Sequence, residues 1–313
     1  MSPPGGVSRR RLRFGSPALR DLEWPCFEAA GARDGPRLCI LAGIHGCEYS
    51  SIAAAVRVMR GLDPSALAGS VVAVPIVNLP AFRTRTPFVS PGDGKNLNRC
   101  FPGDPDGTFS DQLAHHIHTE LIAPADALVD LHGGDLVEAL EPFTLYDASP
   151  VDETARAMAI AFGLPYVVCT EREGAAIAGT TSAAAADAGV AGITPEVGGC
   201  GLLEEDAIAA HVRGVESVLR SLGMLEGDVE PPQRPQRSVA RFVWLRCREA
   251  GWWQPSVRVG EEVAAGGRAD RHARRRPGRG ARAVHDLRLL PGGRHDPGDG
   301  DRVWPALRRL HRA

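Results

Sequence analysis

An apolar run, Leu38-Cys39-Ile40-Leu41, ends in Ala42-Gly43-Ile44-His45-Gly46-Cys47-Glu48. Such a run reads as a buried strand. The next stretch, Ser50-Ser51-Ile52-Ala53-Ala54-Ala55-Val56, reads as a helix start. His45 and Glu48 are then expected at the carboxyl end of a strand, on a glycine-flexed turn. Open α/β sheets place their ligands there. An imidazole and a carboxylate three residues apart can reach one cation. Zinc accepts that N,O pair, and a catalytic zinc needs one more protein ligand and an open position. Alone the spacing is weak, because His-x-x-Glu pairs occur on many helix surfaces. The rest of the chain must supply a third ligand, a general base and a substrate clamp.

The pattern beyond this turn alternates strands with helices. Strands are expected at 37–42, 71–77, 127–131, 143–146 and 166–169 and near 193–197, from β-branched or apolar runs bounded by turn formers. Helices are expected from Ser50 to Gly61, from Ser110 to Ile122, at 151–162, at 180–188 and at 204–222. Residues 1–36 read as irregular or as short edge strands, and 78–108 as one long proline- and glycine-rich loop. Loops that long inside a compact domain are usually functional. The alternation predicts a three-layer α/β/α domain over residues 1–225. Residues 226–237 read as a linker, and 238–266 as the start of a small β domain, with strands at 239–245 and 256–259.

Composition removes several functions. The 313 residues are 43% hydrophobic with a formal net charge of −2, which suits a large globular domain plus a smaller one. No apolar run approaches the roughly 20 residues of a membrane span, and no apolar signal core follows the start of the chain. A cytoplasmic location is therefore expected. Lys95 is the sole lysine and the charge is near balance, so the arginines reflect coding bias and no nucleic-acid surface is expected. Seven scattered cysteines lack any Cys-x-x-Cys, which argues against a disulfide framework and a thiolate zinc site. Cys47, Cys100 and Cys200 read as small buried filler, and His115, His116 and His118 as mostly solvated.

His132 also leaves a buried strand, flanked by Gly133 and Gly134, and is the natural third ligand. Glu196 exits a later strand before two glycines, where a carboxylate can face a zinc-bound water and take its proton. Arg99, with Asn96 and Asn98 beside it, lies on the long loop. A planar guanidinium there would grip a substrate carboxylate with two donors. Arg83 and Arg85 are further candidates for polarising a carbonyl or binding a second anion.

These motifs, taken in order, resemble the succinylglutamate desuccinylase/aspartoacylase family within the wider group of zinc carboxypeptidases. The order is Gly43-Ile44-His45-Gly46-Cys47-Glu48, Asn78…Ala81-Phe82, Asn96-Leu97-Asn98-Arg99-Cys100-Phe101-Pro102-Gly103, Asp130-Leu131-His132-Gly133-Gly134 and Glu196-Val197-Gly198-Gly199. The resemblance covers roughly residues 37–264. It implies a zinc-carboxypeptidase-like α/β/α domain with a mixed sheet. It implies one zinc per subunit, held by His45, Glu48 and His132, with Glu196 as base and later proton donor. Asn98 and Arg99 would bind the substrate carboxylate, and Arg85 would polarise the scissile carbonyl; Arg83 stays a candidate substrate contact on its charge and place alone. The implied partner is a small N-acylated amino acid, with neither membrane nor nucleic acid, and the chain could self-associate as a homo-oligomer. Three departures stand out. Leu79-Pro80 follows Asn78 where the family runs Asn-Pro directly, Arg85 lies close to Asn78, and Thr180-Thr181-Ser182 brings no arginine of the aspartoacylase clamp. The loop from Thr86 to Lys95 is similar to deacetylases of N-acetyl diamino acids. The rival readings are a carboxypeptidase-like peptidase or esterase, and a catalytically weak binding protein.

From Gly267 the character changes. Arg268, Arg271, Arg274, Arg275, Arg276, Arg279 and Arg282 crowd an aperiodic Gly/Pro-rich tail over 267–313. Such composition does not bury a core. The tail reads either as a native disordered basic segment or as the product of a shifted reading frame in a GC-rich gene, which would disrupt the small β domain.

Overall fold

The computed structural model describes residues 6–171, 178–239 and 255–263. Among these residues one sheet holds nine strands: β1 (Val7–Leu12), β2 (Trp24–Ala30), β3 (Arg33–Ala42), β4 (Ala68–Val74), β5 (Ala127–Leu131), β6 (Phe143–Asp147), β7 (Tyr166–Thr170), β8 (Ala191–Glu196) and β9 (Arg237–Val239). Their spatial order is β1-β2-β4-β3-β5-β8-β6-β7-β9. The centre, β4-β3-β5-β8, is parallel throughout. β2 runs antiparallel to β1 and β4, and β6 antiparallel to β8, so the sheet is mixed as expected.

Side-chain alternation along the central strands builds two cores. Leu38 and Ile40 of β3 face one way, and Cys39 and Leu41 the other. The first face is covered by α1 (Tyr49–Gly61), α4 (Asp152–Ala161) and α6 (Glu205–Ser221). The second is covered by α3 (Phe109–Ile117), its π-helical continuation His118–Ile122, and α5 (Thr181–Asp187). The layers are therefore α/β/α. Each apolar side chain buried between them contributes roughly 1.5–3 kcal/mol, so the sheet centre is a rigid platform. No described helix is long and apolar enough to cross a membrane.

Several segments differ from the sequence expectation. The first 36 residues supply β1, β2 and the start of β3. The supposed loop 78–108 opens with a helix, α2 (Leu79–Thr84), and holds a 3₁₀ turn at Leu97–Arg99. Pro80 falls in the first helical turn, where a missing N–H costs little. α3 is capped at Thr108, two residues before the expected Ser110, because the Asp111 carboxylate accepts the Thr108 N–H at 2.9 Å. His116 is packed, not solvated: it stacks on Phe14 with centroids 4.8 Å apart and bonds Ser16 and Glu120. Cys200 is exposed, on a left-handed turn with φ 54°. The last residue of the expected linker and the two after it enter the main sheet, β9 pairing in parallel with β7. Residues 256–259 form bends and a turn, closed by Glu261 N–H to the Arg258 carbonyl, where a strand was expected. The expected strand at 239–245, past Val239, and the tail 267–313 lie outside the described residues.

Candidate metal centre

The ends of β4, β3, β5 and β8 lie side by side. Asn78 follows β4, His45 follows β3, His132 follows β5, and Glu196 ends β8. The backbone continues the sheet past the strands. Val77 N–H bonds the Ala42 carbonyl and Asn78 N–H the Gly43 carbonyl, while His132 N–H bonds Pro195 and Val197 N–H bonds His132. The pairing of His132 with Glu196 is thus set by main chain. Gly46 brings the His45 turn against α2. A Cβ there would lie 2.2 Å from the Phe82 nitrogen, so no other residue fits. Gly134 meets the same limit against the Glu138 carbonyl, at 2.0 Å.

His45, Glu48 and His132 are buried, and their ligand atoms all lie within 4.8 Å of one another. His45 Nδ1 is 2.6 Å from Glu48 Oε1, and His132 Nδ1 is 3.1 Å from Glu48 Oε2. The outer nitrogens meet acceptors. His132 Nε2 is 2.9 Å from Asp130 Oδ2, and His45 Nε2 is 3.1 Å from Asn96 Oδ1. Asn96 Oδ1 also accepts the Asn98 N–H at 2.9 Å, which fixes the amide orientation. Both imidazoles therefore carry a proton on Nε2 in their neutral form. Their Nδ1 lone pairs then face the two oxygens of one carboxylate. Such a ring of bare acceptors is repulsive until positive charge enters it, as protons on the rings or as a metal ion. Two imidazoles and a carboxylate are the donor set of a catalytic zinc, and an acceptor behind each histidine is the usual device for fixing its tautomer.

The electrostatics agree. Burial alone would raise the Glu48 carboxyl, but His132 and His45 bring it down to about 2. Burial would lower the His132 imidazolium, yet Asp130 and Glu48 hold it well above its ordinary value. The cluster is built to hold positive charge.

Asp130 and Asn96 were not assigned roles from sequence. The signal for Asp130 was present: a carboxylate inside a buried strand, two residues before a histidine, shares that histidine's face. Thr181, fully buried at the start of α5, donates its hydroxyl to Asp130 and its N–H to Asn98 Oδ1. It ties the strand ends to the loop above them.

The substrate candidates lie on that loop. Asn98 is buried, with its oxygen committed to Thr181. Arg99 is exposed, with Nη1 on the Asn98 carbonyl. Arg83 and Arg85 are exposed on α2 and at its end. Arg85 has φ 54°, and its charge reaches Cys47 and Tyr49 beside the His45 turn. Cys47 is inert filler, as expected, with burial pushing its thiol up to about 11. A cavity of about 640 Å³ lies beyond Val197-Gly198-Gly199, against Ala207 and Arg213 of α6, and does not include the three converging ligands.

Comparison with known proteins agrees with this geometry. Residues 34–222 match the model of the succinylglutamate desuccinylase/aspartoacylase catalytic domain. The N-alpha-acetyl-L-2,4-diaminobutyric acid deacetylase of Halomonas elongata is 31% identical over 240 residues, 74% of this chain and 69% of that protein. The crystal structure of a succinylglutamate desuccinylase/aspartoacylase from Rhodobacter sphaeroides superposes with a TM-score of 0.73 at 31% identity, covering 85% of this chain and 81% of that one. The product-bound ectoine utilization protein EutE (DoeB) from Ruegeria pomeroyi gives 0.77 at 25% identity, covering 89% and 86%. The chain belongs to the succinylglutamate desuccinylase/aspartoacylase family and is an amide-hydrolysing deacylase.

Proposed function

We propose that this chain is a zinc-dependent deacylase of N-acylated amino acids, with N-acetyl diamino acids as its substrate class. The observation that carries the metal is the convergence of one ligand atom each from buried His45, Glu48 and His132 to within 4.8 Å of one another, with an acceptor behind each imidazole. The substrate class is supported by the name of the Halomonas elongata relative. All six described cysteines are unpaired, which suits a reducing, cytoplasmic setting.

His45, Glu48 and His132 would hold the zinc. When bound, zinc acts as a Lewis acid that brings a water's pKa to about 7. Glu196, paired by its backbone with His132, is the base that takes a proton from the attacking water. Attack on the acyl carbon is followed by cleavage of its bond to nitrogen. Glu196 then hands its proton to the leaving amine, so acid and free amine depart. Asn98 and Arg99 hold the substrate carboxylate, and Arg83 stands ready as an outer anion contact. Arg85 faces the scissile carbonyl as its oxygen gains charge.

The test is zinc content together with release of free amine from a panel of N-acyl amino acids. N-acetyl diamino acids are expected to be turned over, with stoichiometric zinc. His45→Ala and His132→Ala are each expected to abolish both, since two ligands do not hold a catalytic zinc. Full zinc in both variants removes the metal assignment. No amine from any member of the panel removes the substrate class.

A further inference from the structure

We propose that Asp93 is a positioning residue, which sets the direction of a buried hydrogen-bond wire and so holds α2 and the Asn96–Arg99 turn in place over the metal centre. This rests on the deacylase reading for its kinetic readout, but its geometry stands alone. Asp93 lies in a tight loop closed by Gly94 N–H to the Ser90 carbonyl and Ser90 N–H to the Lys95 carbonyl, both 2.8 Å. Asn96, whose oxygen orients His45, follows directly. Asp93 grips the start of α3 with both oxygens: Oδ2 accepts the Ser110 N–H at 2.8 Å, and Oδ1 accepts the Ser110 Oγ–H at 2.9 Å and the Lys95 N–H at 3.2 Å. The Thr108 hydroxyl is shared between Asp93 at 2.7 Å and Asp111 at 2.8 Å. Burial would raise this carboxyl, but the Ser110 N–H and the Thr108 hydroxyl keep it below its ordinary value, so it remains an acceptor.

A hydroxyl has one proton to give. Ser110 Oγ sits between Asp93 and Ser90 Oγ, 2.8 Å away. Since Asp93 only accepts, the Ser110 proton goes to it. The Ser90 proton must then go to Ser110, and Ser90 must accept from Asn78 Nδ2 at 2.9 Å. That leaves Asn78 Oδ1 to accept the Ala81 N–H, capping α2. Asn78, Ser90 and Ser110 are fully buried, so no water can substitute. The Asp93 carboxylate at one end and the Ala81 N–H at the other thus demand the same direction for every donor from α3 to the cap of the helix that carries Arg83 and ends at Arg85.

The direction can be reversed by exchanging the ends. In Asp93→Asn the new amide donates to Ser110, the two serine protons turn round, and Ser90 meets the Asn78 amide donor to donor. Flipping that amide moves the clash to Ala81 N–H. In Asn78→Asp the far end becomes an acceptor while Asp93 still pulls the other way, leaving Ser90 and Ser110 with one proton too few. In the Asp93→Asn/Asn78→Asp double variant the wire runs the opposite way, from the amide introduced at position 93 to the carboxylate introduced at position 78, and only the N–H of exposed Lys95 passes from a side-chain acceptor to water.

The experiment is a four-member cycle on the full chain: thermal melting, the visible spectrum of the cobalt(II)-loaded protein, and kcat and KM for an N-acyl amino acid. Each single variant is expected to melt lower, to alter the cobalt spectrum through Asn96 and His45, and to lose roughly tenfold in kcat/KM, mostly in KM. The double variant is expected to recover most of all three. A double variant no better than the singles overturns the wire. Lower melting with unchanged cobalt spectrum and KM overturns the positioning role. If the wild type turns over no N-acyl amino acid, the deacylase reading fails by itself, and the melting and cobalt cycles still decide the wire.

Discussion

His45, His132 and Glu196 stand at the ends of β3, β5 and β8, neighbours in the sheet, and main-chain bonds continue the ladder past the last two of them. Asn96, Asn98 and Arg99 stand on residues 85–108, which contribute no strand. Their positions depend on side chains: Asp93 on Ser110, Ser90 on Asn78, Asn98 on Thr181. The two halves of the site should fail differently. Replacing a strand-end group removes chemistry and leaves geometry, because the sheet does not depend on that side chain. Replacing a loop group moves geometry, because the side chains are themselves the fastening.

The largest effect that tests this difference is at Glu196. Glu196→Gln keeps shape and hydrogen bonding but accepts no proton, so kcat is expected to fall by about 10²–10⁴-fold. Zinc content and melting temperature are expected to stay at wild-type values. Loss of zinc in this variant would make Glu196 a ligand and break the three-ligand scheme. Retained kcat would point to another base.

A smaller effect is expected at Asp130, which has no place on the loop but holds His132 from behind. Asp130→Asn leaves one acceptor oxygen for both the His132 Nε2–H and the Thr181 hydroxyl, which meet the same oxygen, but removes the negative charge behind the ring and puts an unpartnered amide N–H in the buried place of the other oxygen. Zinc affinity, read by competition with a chelator, is expected to weaken about 10–100-fold. The fold should hold, because β5 keeps its ladders to β3 and β8. A stable variant with unchanged zinc affinity would show that the histidine needs no such partner here.

The same contrast explains what was legible in the amino-acid order alone. The strand ends were legible because buried strands announce themselves as apolar runs, and a His or Glu followed by glycines breaks the run visibly. The fastening of the loop was not. Asn78, Ser90, Asp93 and Ser110 are separated by 12, 3 and 17 positions, and no periodicity links residues whose side chains bond across such gaps. Pro80 read as a loop former, although in the first turn of α2 it is a helix residue. His116 read as solvated because its helix neighbours are polar, whereas its packing partner, Phe14, is 102 positions away. Arg83, Arg85 and Arg99 were readable as charges, but what each one faces is decided by the loop.

The smallest effect expected is at Arg99, and it discriminates most finely. The exposed guanidinium carries its donors in one plane and directs one of them at the Asn98 carbonyl. A lysine offers a point charge on a flexible stem and cannot serve both the carbonyl and a carboxylate in fixed geometry. Losing one charge-assisted hydrogen bond costs about 1.5–3 kcal/mol at most, so Arg99→Lys is expected to lower kcat/KM about tenfold, mainly through KM. The control is a substrate whose carboxylate is replaced by a carboxamide. If Arg99 grips the carboxylate, the variant and the wild type should handle this analogue alike, because the interaction is missing from both. If Arg99 only braces its loop, the variant should lose the same factor on either substrate, because a displaced Asn98 would penalise both. Equal losses would move Arg99 out of the substrate site and leave it as one more structural fastening of the loop.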